Sequence, residues 1–175
     1  MLAFSTEEFQ ANYPQFSDPT DLVYTVQEGT TAFLECEVER LMNGSVSWIR
    51  EKDAHILTVD REVFIPDPRI SILHPAGGQL WTLTLLAVTS DDEGTYQCQV
   101  SAQHKLSKRI DLVVVVPRVT IVPGDDRHVR RGSRVVIHCV VDQVIHRPHH
   151  VAWIRNLKVS SPIIYKAFAV TYILV

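Results

Sequence analysis

The 175-residue chain lacks several features that would point to a particular class of protein. It has no apolar run of about 18 residues that could form a membrane-spanning helix, and residues 1–10 do not have the basic and apolar regions of a secretory signal. The net charge of −3 does not supply the basic face typical of nucleic-acid-binding proteins. No Ser/His/Asp or Cys/His grouping and no glycine-rich phosphate loop supports catalysis. We therefore predict that the chain is neither an enzyme nor a nucleic-acid-binding protein.

The chain has only 3 cysteines, an odd count that leaves one thiol over if the other two pair. Cys36 and Cys98 flank Trp48 at a spacing that predicts two sheets joined by a disulfide, with the indole packed against it. Tyr96 lies two residues before the second cysteine, where its hydroxyl can bond to upstream backbone. Together these residues predict an all-β, immunoglobulin-like sandwich of the variable or I type. A disulfide of this kind belongs outside the cell or on its surface.

Alternating apolar residues predict the strands of this sandwich within residues 21–117. The expected segments are residues 31–36, 45–50, 55–59, 69–72, 81–85, 96–101 and 110–116. We expect Arg69 and Asp92 to form an ion pair at an edge of the sandwich. Residues 1–20 are polar, contain Pro14 and Pro19 and show no steady period, so they are predicted to be a flexible leader.

Residues 118–158 begin a second copy of the same pattern, in which Cys139 and Trp153 repeat the first cysteine and the tryptophan. No second Tyr-x-Cys motif follows, and such a domain needs about 100 residues. We therefore predict an incomplete second immunoglobulin-like domain, as in a truncated gene model or splice form. Residues 159–175 are expected to be an atypical apolar tail, although they could instead supply substitute strands.

Four segments of the first domain resemble a known family, namely Val46–Arg50, His55–Val59, Trp81–Leu83 and Tyr96–Val100. They are similar to the first domain of the invertebrate defective-proboscis-extension-response (Dpr) proteins and of the nematode zwei-Ig-domain proteins. The resemblance implies a neuronal cell-surface glycoprotein that organises synapses by binding another immunoglobulin-superfamily protein, similar to the Dpr-interacting proteins, or itself. It implies no cofactor, no small-molecule substrate and no nucleic acid. The alternatives are a secreted decoy fragment and a nonfunctional truncated product.

The resemblance also implies that binding uses the sheet that holds Trp48 and Cys98. Because side chains alternate along a strand, residues one or three positions from these two anchors should face away from the core. The predicted partner-binding residues are Ile49, Glu51, Gln97, Gln99 and Ser101, together with His55 and Leu57. The phase of the segment 55–59 is less certain, and Ile56 with Thr58 is the competing outward pair.

The triplet Asn43-Gly44-Ser45 is both a tight-turn signal and an N-glycosylation sequon. We predict glycosylation of Asn43 if the chain is secreted. The histidines between residues 138 and 150 show no paired ligand spacing, so no metal site is predicted.

Overall fold

The computed structural model describes residues 13–103, 105–122, 124, 128, 130–146, 151–155, 158–160, 164–166 and 169–174. The chain divides into two compact units, unit 1 up to Val114 and unit 2 from Val115 onward. The sequence places this boundary slightly later, after Pro117. Each unit is described below by itself.

Unit 1 is a sandwich of two sheets built from ten strands. The strands are β1 (Gln15–Phe16), β2 (Leu22–Gln27), β3 (Ala32–Glu39), β4 (Ser45–Arg50), β5 (His55–Val59), β6 (Glu62–Val63), β7 (Ile70–Leu73), β8 (Leu80–Leu85), β9 (Gly94–Ser101) and β10 (Leu106–Val115). One sheet has the order β1-β3-β8-β7, and the other has the order β2-β10-β9-β4-β5-β6. This arrangement confirms the predicted all-β, immunoglobulin-like sandwich.

The core of unit 1 forms where the inward side chains of both sheets meet. Along β3, buried and exposed residues alternate as expected for a strand with one buried face. Cys36 on β3 and Cys98 on β9 form the predicted disulfide, and Trp48 is fully buried in the same core cluster. Because the bond closes a loop of 62 residues between the two sheets, it should contribute about 2–4 kcal/mol of stability.

The turn before β9 holds the predicted tyrosine corner and the predicted ion pair. The Tyr96 hydroxyl donates a hydrogen bond of 2.8 Å to the backbone oxygen of Asp92, and burial raises the pKa of Tyr96 to about 12. Two guanidinium nitrogens of Arg69 donate to the Asp92 carboxylate at 2.8 and 3.1 Å. Burial alone would raise the pKa of Asp92, but hydrogen bonds from Arg69 and Thr89 outweigh it, and the pKa lies below its ordinary value. The corner therefore contains an ionised, fully bonded carboxylate.

The predicted flexible leader, residues 1–20, differs from the structure in its second part. Gln15 and Phe16 form β1, which pairs with β3, and Phe16 packs against the core. Besides this apolar contact, Ser17 donates a backbone hydrogen bond to Glu37, and the Lys108 side chain donates one to the backbone oxygen of Asp18, so the segment is fixed to the sandwich. Residues 1–12 lie outside the described residues.

The part of unit 2 that the structure describes contains six strands. They are β11 (Arg118–Val122), β12 (Val135–Asp142), β13 (Trp153–Arg155), β14 (Lys158–Ser160), β15 (Ile164–Lys166) and β16 (Ala169–Leu174). One sheet has the order β11-β12-β16-β15, and β13 pairs with β14. The apolar tail therefore supplies strands, which is the alternative that the sequence left open. Cys139 is a buried free thiol, and burial raises its pKa.

Candidate recognition surface

The outward face of the six-stranded sheet of unit 1 presents two rows of side chains that run across the strands. The first row follows the register of β5, β4, β9 and β10, in which Ile49 lies between Ile56 and Gln97, and Gln97 lies opposite Arg109. Ile56 is 50% exposed, and Ile49 is half-buried. The row therefore changes across the sheet from an apolar pair to an amide and then to a cation.

The second row lies beside the first on the same face. Ser47 pairs with Val59 on one side and with Gln99 on the other, and Gln99 pairs with Ser107. Ser47 is only 8% exposed although it lies on the outward face. The short Ser47 side chain is therefore covered by its longer neighbours. We name the two rows together the recognition face: Ile56, Ile49, Gln97, Arg109, Val59, Ser47, Gln99 and Ser107.

Two groups of paired charged side chains lie near the end of β4, and one of them borders the recognition face. Glu51 accepts a hydrogen bond of 2.9 Å from Arg109. At the β4–β5 turn, Arg50 donates to Asp53 at 2.6 Å, and the His55 ring lies 3.1 Å from the same carboxylate. The hydrogen bond from Arg50 is the main cause that lowers the pKa of Asp53 to about 2. The Glu51–Arg109 pair therefore borders the outward face, whereas Arg50 follows outward Ile49 and pairs with buried Tyr96, so its cluster with Asp53 belongs to the inward side.

The structure brings most of the sequence-predicted residues onto this face or to its rim. Ile49, Gln97 and Gln99 lie in the two rows, and Glu51 and Ser101 are exposed at the ends of β4 and β9. The predicted outward orientation of His55 is wrong: it precedes outward Ile56 and is the strand partner of Arg50, so it lies exposed at the inward side of the sheet beside Asp53. Their role in partner binding stays a prediction.

The predicted outward orientation of Leu57 is wrong. Leu57 is fully buried, and Thr58 is buried as well, whereas Ile56 from the competing pair is outward. The reason is a register shift between Trp48 and Ile49, which leaves Leu57 as an extra residue on β5. A β-bulge of this kind interrupts the alternation, so neither regular phase describes the strand.

The predicted partner-binding residues omit four members of the recognition face, Ser47, Val59, Ser107 and Arg109. The last two lie on β10, whose inward residues include Lys108. Lys108 is only 4% exposed and donates a hydrogen bond of 2.7 Å to the backbone oxygen of Asp18. A buried lysine conceals the alternation, but counting back from Ile110 and Leu112 would have placed Arg109 outward.

Asn43 is exposed in the turn between β3 and β4. Across the described ranges, no group of three His, Cys, Asp or Glu side chains is arranged to hold a metal ion. Within the same part of the chain, no helix has the length and apolar character needed to cross a membrane.

Comparison with known proteins agrees with this architecture. Residues 23–109 match the family model "Immunoglobulin domain". The chain is 32% identical over 143 residues to the limbic system-associated membrane protein of Rattus norvegicus, which covers 81% of this chain and 40% of the relative. The chain thus spans less than half the length of this curated relative. Other curated relatives are cell adhesion molecules.

Two solved structures are similar to unit 1. The crystal structure of Dpr1 IG1 bound to DIP-eta IG1 has a TM-score of 0.55 and 32% identity, covering 59% of this chain and 96% of the solved chain. The crystal structure of the ZIG-8 IG1 homodimer has a TM-score of 0.52 and 25% identity, covering 57% of this chain and 84% of the solved one. The relatives are adhesion-type immunoglobulin proteins and not enzymes.

Proposed function

This chain belongs to the immunoglobulin superfamily, and we propose that unit 1 is a cell-surface recognition module. It binds an immunoglobulin domain of another superfamily protein, or of a second copy of this chain, through the recognition face. We further propose that this binding takes place between neurons and contributes to synapse organisation. The observation that carries the proposal is the outward apolar pair of half-buried Ile49 and exposed Ile56, which continues across the sheet into Gln97 and Arg109.

The apolar pair provides the central contact of such an interface. Protein interfaces have a desolvated apolar core inside a polar rim, and a few core residues carry most of the binding energy. Ile56 has half of its surface in water, so a partner that covers it removes apolar surface from water, which favours the complex.

The polar residues of the recognition face favour one orientation of the partner. Gln97 and Gln99 each carry an amide that donates and accepts hydrogen bonds, so they can pair with side chains or backbone of the other domain. The paired charges of Glu51 and Arg109 add little affinity in water, but they penalise partners of unmatched charge. Affinity would therefore come mainly from the isoleucines and specificity mainly from the amides and charges.

The similar structures support the choice of an immunoglobulin partner. One contains two different IG1 domains bound to each other, and another contains an IG1 homodimer. The rat relative is named a limbic system-associated membrane protein, and this name supports our proposal that binding takes place at the surface of neurons. Both heterophilic and homophilic binding therefore belong in the test.

Ile49→Asp tests the proposal, because it places a charge in the centre of the recognition face without touching the core. We expect binding to weaken at least about 30-fold, the loss that corresponds to one interface hot spot. The measurement is surface plasmon resonance against an array of immunoglobulin-superfamily ectodomains from the same organism, with the chain itself included. Sedimentation of the chain alone separates self-association from binding to another protein.

The thermal unfolding midpoint of Ile49→Asp serves as the folding control and should stay close to that of the original chain. Unchanged binding by a folded variant would contradict the use of this face. Absence of any binding partner across the array would contradict the recognition function itself.

A further inference from the structure

We propose that Asn43 carries an N-linked glycan whose first N-acetylglucosamine rests in an apolar groove beside it. Asn43 begins the only Asn-x-Ser/Thr triplet of the chain, and its side chain is exposed between β3 and β4. Oligosaccharyl transfer requires this triplet, and an exposed turn lets the folded domain keep the sugar. The inference rests on the proposed function only in requiring export from the cell.

The backbone of the turn that holds Asn43 packs closely against the rest of the domain, which limits the positions that a sugar attached to Asn43 can take. Gly44 donates a backbone hydrogen bond of 2.8 Å to Leu41. A Cβ added at Gly44 would lie 3.0 Å from the Leu41 oxygen and 3.2 Å from the Ser101 oxygen, so the turn packs closely against the end of β9. Met42 has a φ of +51°, which is uncommon for a bulky residue and holds its side chain in water.

A groove with a volume of about 390 Å³ opens directly beside this asparagine. We name it the turn groove, and its lining includes Tyr13, Pro14, Leu41, Met42, Asn43 and Ala102. The volume is within the range of about 300–1,000 Å³ that holds small ligands. Met42 is 73% exposed, so the groove leaves a large apolar surface in water.

An N-acetylglucosamine attached to Asn43 suits the turn groove in chemistry and position. The sugar ring has one face of C–H groups that packs against aromatic and aliphatic side chains, while its hydroxyls remain in water. Because the sugar is covalently tethered at the edge of the groove, its effective concentration there is about millimolar or higher, and even a weak contact is populated. Covering Met42 and Tyr13 removes apolar surface from water and stabilises the folded domain.

A glycan at this position leaves the recognition face accessible. Asn43 precedes the first residue of β4, whereas Ile49 lies near its other end. At about 3.3 Å per residue, the two positions are about 20 Å apart along the chain. The sugar therefore covers one end of the sandwich while the row of Ile49 and Ile56 stays open.

The test uses the full chain exported from cells that make only high-mannose glycans, with an added signal sequence. Endoglycosidase H then leaves one N-acetylglucosamine on Asn43. We expect an intact mass that includes this one sugar and a Tm about 3 °C above that of Asn43→Gln. In a Tyr13→Ser background the same comparison should give a difference near zero, because the sugar loses its aromatic contact. Ser45→Ala is the second sugar-free control, since it removes the sequon but keeps the asparagine.

Each outcome decides one part of the inference. An exported chain without added sugar mass would overturn the modification site. A sugar-bearing chain whose Tm equals that of Asn43→Gln, or a Tm difference that persists in Tyr13→Ser, would overturn its seat in the turn groove. Because export is supplied and no partner is needed, failure here is distinguishable from failure of the recognition function.

Discussion

Units 1 and 2 contain a sheet of the same design but differ in what covers it. In unit 1 the order is β1-β3-β8-β7, and in unit 2 it is β11-β12-β16-β15. In each sheet the strand that comes second along the sequence, β3 or β12, has a neighbour on both sides. This strand carries a cysteine, Cys36 in β3 and Cys139 in β12. The two sheets therefore share a strand order in which the cysteine strand has a neighbour on each side.

The second layer makes the difference between the two units. In unit 1 the opposite sheet covers the cysteine strand, and the buried cluster extends from Ala32 to Val114. In unit 2 the buried cluster of the described residues consists of Cys139 and Val141, with Val144, Val151 and Trp153 packed partly against it.

The exposure of β11 shows the same contrast. Val119 and Ile121 pair with Val141 and Cys139, but they remain 63% and 49% exposed. A recognition face needs a rigid sheet behind it, and only unit 1 has a fully covered core among the described residues. This is why we assign the proposed function to unit 1.

The largest expected effect comes from removing the disulfide of unit 1. Replacing Cys36 and Cys98 together with alanine should lower the free energy of unfolding of unit 1 by about 3–5 kcal/mol. Cys139→Ala in unit 2 should cost less, about 1 kcal/mol, because it removes one small buried side chain and breaks no covalent cross-link. Urea unfolding of the full chain, followed by tryptophan fluorescence, measures both variants. Equal losses would mean that the cores of the two units are equally consolidated.

The second effect concerns the ion pair that closes the tyrosine corner. Arg69→Met should cost about 2 kcal/mol, since it removes charge-assisted hydrogen bonds from the Asp92 carboxylate. Because the folded-state pKa of Asp92 lies below its ordinary value of 3.8, its contribution is present above about pH 4 and is lost as the pH falls through the folded pKa. Urea titrations between pH 7 and pH 3 should show this acid loss in the original chain and a smaller loss in Arg69→Met. A pH profile that Arg69→Met leaves unchanged would refute the assignment to Asp92.

The smallest effect comes from the Tyr96 hydroxyl. Tyr96→Phe should cost about 1 kcal/mol at pH 7, because one hydrogen bond to Asp92 is lost. Burial raises the folded-state pKa of Tyr96 from 10.0 to about 12, so the original chain should lose stability as the pH rises above about 10. Tyr96→Phe lacks the ionisable hydroxyl, so its unfolding midpoint should depend less on pH between 9 and 11. If both chains lose stability equally over that range, another group is responsible.

The fold of unit 1 could be predicted because a few residues determine the phase of whole strands. Trp48 and Cys98 are large, inward anchors, so alternation places Ile49, Gln97 and Gln99 outward. The same reasoning failed at Leu57 because a bulge carries no clear signal in the sequence. The strands of the apolar tail also could not be assigned, since β16 is defined by pairing with β12, which lies far away in the chain.

Two aspartate substitutions of exposed aliphatic residues on opposite sheets test the central claim most directly. Ile56 is 50% exposed on the recognition face, and Leu73 is 58% exposed on β7 of the other sheet. Surface plasmon resonance should show binding to the partner found in the array weakened at least about 30-fold by Ile56→Asp and within about twofold of the original for Leu73→Asp. Equal losses, or a loss confined to Leu73→Asp, would contradict recognition through this face.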